Sequence, residues 1–307
     1  FAFITFFIFL IVSKYFDKFF NGILLDEDFL KPQAFHNEAV SRSGGTASVI
    51  SLLILTGIYY LLYSKILYEY IILSSSLFFV GYLDDIKIRI SPNIRLLLMI
   101  VFLIFSIIFI PIEIYNIDLI FLNSWLENKF FSVLFVLLCF LFIVNGANLI
   151  DGFNGLLTIN LIIINSILLF INLNSNHLEF SFFLTAQIII LVSFLLFNFP
   201  KSKMFLGDSG SYLFGSLIAL NTVITNNLNS HISSFFFCIL LFYLFYEVFF
   251  SFIRKIYQKK SPVQPDENHL HMLSFVKVSK IFGAERGNYF NSIIINLVFL
   301  ALVLPST

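Results

Sequence analysis

The chain has 307 residues, of which 59% are hydrophobic, 43 are Phe and only 12% are charged. Soluble domains run at about 45–50% apolar and 25% charged, so this composition excludes an ordinary soluble globule and points to an integral membrane protein. Formal net charge is zero, which implies no nucleic-acid partner.

Apolar runs cover roughly 1–13, 46–64, 66–83, 94–112, 130–148, 156–172, 180–198, 211–226, 233–253 and 288–304. A spanning helix needs about 20 apolar residues, and the bilayer leaves no partner for open backbone groups, so each run reads as a membrane helix. The expected fold is an all-α bundle of about ten transmembrane helices forming one domain over 1–307. The chain begins at Phe1 with a short first run and no basic segment or cleavage site, which reads as a truncated span rather than a signal peptide. Cys139 and Cys238 lie inside apolar runs and read as small core residues.

Ten spans alternate sides. If the side after the first is "in", the inner segments are 14–45, 84–93, 149–155, 199–210 and 254–287. They carry Lys14, Lys18, Lys31, Arg42, Lys87, Arg89, Lys201, Lys203, Arg254, Lys255, Lys259, Lys260, Lys277, Lys280 and Arg286, with Arg95 at a span edge. Only Lys65 and Lys129 fall outside, so the positive-inside rule makes the first group cytoplasmic. The polar clusters described next all fall on that face.

The first inner segment holds His36-Asn37-Glu38 and Ser41-Arg42-Ser43-Gly44-Gly45. Arg42 suits a bidentate phosphate contact, and the glycine pair permits close approach of a ligand or a helix. An interfacial arginine beside a packing glycine pair is the plainer alternative. The second holds Asp84-Asp85, followed by Lys87, Arg89 and Arg95. Carboxylates beside cations at a membrane surface suit Mg²⁺ or a lipid phosphate, although an acidic pair also simply ends a span.

The third places Asn145, Asn148, Asp151 and Asn154 three residues apart, a polar ridge along one side of a helix end. Facing a pocket or gluing helices together are the two readings. In the fourth, Asn198, Pro200 and Phe205 precede Gly207-Asp208-Ser209-Gly210-Ser211. Asp208 and Ser209 stand where an N-cap belongs, and a helix N-terminus beside a carboxylate also suits a cation-bridged diphosphate. The fifth runs from Ser261 through Pro262, Pro265, Asp266 and Glu267 to His269-Leu270-His271. The prolines argue against a helix through this loop, and two His at i, i+2 point together only in extended structure. Zinc lacks nearby Cys, which leaves phosphate contact or an unremarkable loop pair. Glu247, an acid inside a span, is functional or paired.

Taken together, the five clusters resemble, in order and over almost the whole chain, the polyprenyl-phosphate N-acetylhexosamine-1-phosphate transferase family. The segment before the histidines looks like the N-acetylglucosamine branch; the muramoyl-pentapeptide branch carries a more compact histidine run. The resemblance implies transfer of a sugar 1-phosphate from a UDP-sugar to undecaprenyl phosphate with release of UMP. Mg²⁺ (or Mn²⁺) is the implied cofactor. The setting would be the bacterial inner membrane, in cell-wall or lipopolysaccharide O-antigen synthesis, and a homodimer stays open.

Residue by residue, Asp84 and Asp85 match the pair thought to act on the lipid phosphate. Asp208 matches the Mg²⁺ ligand, and Asn148 a position that shares the ion. Asp151, Asn198 and Phe205 match positions that hold or stack on the uracil. His269 and His271 match the motif that contacts the phosphates, and Arg42 the first-loop motif. Asn154 stands where many members carry Asp, Met272 where a further His is usual, Glu247 for a common Asp and Ser41 for a common Pro. The rival class, a transporter with a midplane site, predicts charges within spans and symmetric halves, whereas most charges here sit in loops on one face and no repeat is evident.

Overall fold

A computed structural model describes residues 1–19, 21–26, 39–88, 90–260 and 268–306. His36-Asn37-Glu38, Arg89 and the proline segment 261–267 lie outside the described residues. In chain order the elements are α1 (Ala2–Phe19), a small antiparallel pair β1 (Leu25–Asp26) and β2 (Val40–Ser41), α2 (Gly44–Tyr63), α3 (Tyr68–Asp85) and α4 (Pro92–Phe109). Then come α5 (Ile120–Leu126), α6 (Lys129–Ile150), α7 (Leu156–Asn174), α8 (Leu178–Asn198) and α9 (Gly207–Leu228). The last are α10 (Ser234–Leu240), α11 (Phe242–Tyr257), α12 (Leu270–Phe282) and α13 (Ala284–Val303).

Each of the ten apolar runs is helical, and the ninth is broken into α10 and α11 at a 70° bend. Among the described residues six helices are long and apolar enough to cross a membrane, seven with the bent pair as one span. The expected ten is not reached by that measure. α3 carries Glu69, Asp84 and Asp85, and α9 is rich in Gly, Ser, Thr and Asn. Neither reads as purely lipid-facing.

α9 is polar because it is central. It packs against α2, α3, α6 and α7, and most of its residues from Ser209 to Thr225 are buried. Small residues set the spacing: a Cβ on Gly215 would lie 2.9 Å from Val144 Cα of α6. Most of its polar side chains bond backbone carbonyls of the same helix or polar groups of its neighbours, as a low-dielectric interior favours. Asn221 donates to Asn165 Oδ1 (3.0 Å) and Gln187 Oε1 (2.8 Å) and accepts from the Tyr70 hydroxyl (2.7 Å), tying α9 to α7, α8 and α3.

The core expectation for the cysteines needs correction. Cys139 is half-buried, and Cys238, on α10, is exposed. An apolar run in a bundle has a lipid-facing side as well as a core side, and hydropathy alone does not separate them.

Candidate active site

The site is built at one end of the bundle, where the start of α9 meets the end of α3. Gly207 has φ +77°, a turn that suits glycine, and a Cβ there would lie 2.6 Å from Asp85 Oδ2. With no Cβ, the Asp85 carboxylate reaches the first turn of α9. It accepts the backbone N–H of Asp208 (3.0 Å) and of Ser209 (2.9 Å). Gly81, one turn earlier on α3, makes the same approach possible; its Cβ would meet the Asp208 carbonyl at 2.4 Å.

This overturns the expectation that Asp208 or Ser209 caps its own helix. The residue preceding α9 is Leu206, which offers no side-chain cap, and the cap comes from Asp85 on the neighbouring helix. Asp85 is 1% exposed, while the Asp84 side chain is 31% exposed. The adjacent acids are therefore unequal: one is committed to backbone, the other faces outward.

Relieved of capping, the Asp208 carboxylate is held from two sides. Arg95 Nη1 lies 2.7 Å from Oδ2, and Asn148 Nδ2 donates to Oδ1 at 3.1 Å and also meets Ser211 Oγ at 3.0 Å. The same Arg95 nitrogen lies 3.3 Å from Asp84 Oδ2. One cation thus sits between two carboxylates from different helices. Arg42 adds a second: its Nη2 lies 2.7 Å from Asp26 Oδ2 and its Nη1 3.8 Å from Asp85 Oδ1. The Gly44-Gly45 pair grips the segment leading into α9, with its two amides donating to the carbonyls of Phe205 (2.9 Å) and Leu206 (2.8 Å). Of the two readings for that pair, close approach to a neighbouring helix start is the one realised.

The third and fourth loops are stapled together by Asn198, which is buried. Its Oδ1 accepts Gly155 N–H (2.7 Å) and its Nδ2 donates to Met204 O (3.0 Å). Asn154 adds a bond from its Nδ2 to Pro200 O (2.9 Å). Phe205 is half-buried in this segment, its amide donating to Ser41 O (2.8 Å). Asp151 follows α6, and desolvation pushes its carboxyl well above the usual carboxylate range; the charges of Asp208 and Asp85 push the same way, against Arg42.

His269 and His271 converge although only the first of them is extended, contrary to the sequence expectation. His269 has extended backbone just before α12, and His271 lies in its first turn. A residue at a helix N-cap folds its side chain back over that turn, so i, i+2 can meet there. The rings stack 5.4 Å apart, and both face Glu247: His269 Nδ1 is 3.0 Å from Oε2 and His271 Nδ1 3.2 Å from Oε1. All three residues are buried. The His271 ring also lies against Phe153 of the third loop, 5.7 Å between centroids.

Asp84, Asp85, Arg95, Asn148 and Asp208 are therefore one cluster, with Arg42 on its flank. The histidines form a second cluster joined to it through the loop after α6. Sequence reasoning missed Asp26 and the α13 asparagines. Asn288 Oδ1 accepts the Asn154 amide (2.9 Å), and Asn291 Nδ2 donates to His271 O (2.8 Å). Their signal was present, since amides inside an apolar run need partners.

Among the described residues no three His, Cys, Asp or Glu gather as a metal cage. Mg²⁺ binds through one or two carboxylates with water and substrate phosphates. The donors on offer are oxygens of Asp208 and Asp84, already arranged around a positive charge, so the residues fit a hard divalent cation.

The sequence profile of Glycosyl transferase family 4 matches residues 67–226, just over half of the chain. The chain belongs to glycosyl transferase family 4. The matched stretch runs from α3 to α9 and so contains the whole acidic cluster. Within the family, the chain is 28% identical over 249 residues to an undecaprenyl-phosphate alpha-N-acetylglucosaminyl 1-phosphate transferase of Thermotoga maritima, covering 80% of this chain and 71% of that protein. It is also similar to phospho-N-acetylmuramoyl-pentapeptide-transferases. One, of Clostridium perfringens, is 32% identical over 109 residues, or 36% of this chain and 34% of that one. Another, of Petrotoga mobilis, is 27% identical over 195 residues, 60% of each.

Proposed function

We propose that this protein transfers N-acetylglucosamine 1-phosphate, or that of a related N-acetylhexosamine, from its UDP-sugar to undecaprenyl phosphate. The observation that carries the reading is the meeting of Asp84 and Asp208 around Arg95 at the bundle end, beside a helix N-terminus. The long match to the Thermotoga protein supports the substrates. A transporter would want these charges at the midplane of the bundle.

Phosphoryl transfer asks for positioning and charge neutralisation more than covalent help from the protein. Asp208, with the Asn148 side-chain oxygen, would hold Mg²⁺, for which Mn²⁺ could substitute. When bound, the ion supplies positive charge against the diphosphate. Asp84 takes the proton of the lipid phosphate, being the acid of the pair that is not committed to backbone. A lipid phosphate oxygen then bonds to the phosphorus bearing the sugar. The bond from that phosphorus to the bridging oxygen breaks, and UMP leaves with the electron pair. Asp85 keeps the first turn of α9 in place. Arg42 and Arg95 balance charge, Asp151 and Phe205 line the nucleotide side, and Asn198 holds their two loops in register. His269 and His271 contact the phosphates. The bundle end carrying the site faces the cytoplasm, where both the nucleotide and the basic loops belong.

Purified protein in detergent, given undecaprenyl phosphate and a panel of UDP-hexosamines with Mg²⁺, tests this. UMP release should require the lipid phosphate and be fastest with UDP-N-acetylglucosamine. Release that does not depend on the lipid would overturn the reading.

A further inference from the structure

Glu247 lies on α11, inside the bent span, and both its oxygens are used by imidazoles: Oε2 by His269 Nδ1 and Oε1 by His271 Nδ1. A carboxylate accepts only, so each ring must present Nδ1–H to it. That fixes the tautomers. In a neutral ring held this way Nε2 carries no hydrogen and can only accept. His271 Nε2 is buried and has no hydrogen-bond partner among the described residues. It faces the third loop, where a Cβ on Gly152 would stand 4.0 Å away, next to Asp151.

This creates a mismatch. A phosphate oxygen is also an acceptor, so a neutral His271 and a substrate phosphate cannot bond. The contact becomes favourable only when Nε2 gains a proton, and Glu247 is placed to stabilise the resulting imidazolium from the far side of the ring. We propose that Glu247 is the positioning residue of the histidine pair, and that His271 takes up a proton at Nε2 when the substrate diphosphate binds. The inference rests on the sugar-nucleotide reading and goes beyond it by coupling nucleotide binding to proton uptake.

The surroundings agree. Burial lowers the proton affinity of His271, with the neighbouring His269 acting the same way and Glu247 opposing, so the unliganded ring favours the neutral form. Among the described residues the groups near the pair are Glu247 itself and the Tyr243 hydroxyl toward Glu247; Asp151 adjoins Gly152, which lies against His271, and Arg254 Nη1 donates to Asn268 O, just before His269, at 2.7 Å. Asn291 and Ser274 hold the α12 backbone and add no charge: Asn291 Nδ2 donates to His271 O, and Ser274 Oγ donates to Asn291 Oδ1 at 2.7 Å. With the rings stacked, one proton on the pair discourages a second.

Calorimetry of UDP-N-acetylglucosamine binding, with Mg²⁺ and in buffers of different ionisation enthalpy, reads the proton count directly. That ligand's diphosphate is fully ionised near neutral pH, so it brings no titration of its own there. The wild type should take up about one proton more per ligand than Glu247→Gln, whose amide can accept from only one ring. Its affinity should also weaken as pH rises, while that of the variant stays flatter. If Glu247→Gln does not insert, His271→Asn provides the same comparison. Equal proton counts with binding retained would overturn this inference and leave the transferase reading standing. A wild type that binds no UDP-N-acetylglucosamine would overturn both.

Discussion

Asp85 and Asp208 divide between two helices the work that a lone N-cap aspartate does in one. Asp85 satisfies the amides of Asp208 and Ser209, which frees the Asp208 carboxylate for Arg95 and Asn148. The two acids should therefore fail differently. Asp85→Asn keeps only one acceptor for two buried N–H groups and should cost about 1–2 kcal/mol of stability, read as a lowered melting temperature. Asp208→Asn keeps size and leaves the cap intact, so it should melt like the wild type. It should nonetheless lose about 10²–10³ in turnover, the usual cost of one positioned electrostatic group. The reverse pattern, a stable Asp85→Asn and an unstable but active Asp208→Asn, would mean that the roles are exchanged. The sequence shows both carboxylates beside a span end. It does not show which one reaches across, because that depends on how closely α3 and α9 approach.

At the scale of elements, that approach is set by glycines. Gly81 and Gly207 let α3 and its Asp85 press against the first turn of α9, whereas Gly57 of α2 has open space around its Cβ position. Gly81→Ala should destabilise the fold by about 1–3 kcal/mol through overpacking against backbone. Gly57→Ala should be neutral or gain up to about 1 kcal/mol from helix propensity. Thermal unfolding of the two variants separates packing from propensity, and equal melting temperatures would show that the α3–α9 contact is looser than described. Helices were the most legible part of the sequence, since an apolar run in a bilayer has few alternatives. The short elements were not. The β1–β2 pair exists through its neighbour, the segment before α9, where Ser41 bridges to Met204. α12 follows directly on His269 and is anchored by Asn291 of α13, a contact that no local pattern encodes. The polar site residues were legible as costly exceptions in an apolar chain. Of their partners, Asp26 looks like an ordinary loop acid until the chain is assembled, and Asn288 and Asn291 signal a need for partners without showing which.

For the whole molecule, Arg42 and Arg95 sit with the acidic cluster, while Lys65, one of the two cations that the sequence puts on the other face, pairs with Glu179 at 2.6 Å. Lys201, beside the site, and Asn176, in the turn between α7 and α8, are both exposed. In intact cells, cysteine at Lys201 should resist a membrane-impermeant thiol reagent, and cysteine at Asn176 should react. Labelling at Lys201 from outside would place the site on the wrong face for a cytoplasmic nucleotide. The most direct test of the account follows the phosphorus. UDP-N-acetylglucosamine labelled at the phosphorus attached to the sugar should deliver its label to the lipid fraction, with one unlabelled UMP released for each labelled lipid formed. Label that stays in the aqueous phase as UDP while sugar appears on the lipid would mean that the sugar moves without its phosphate, and would contradict the mechanism at its centre.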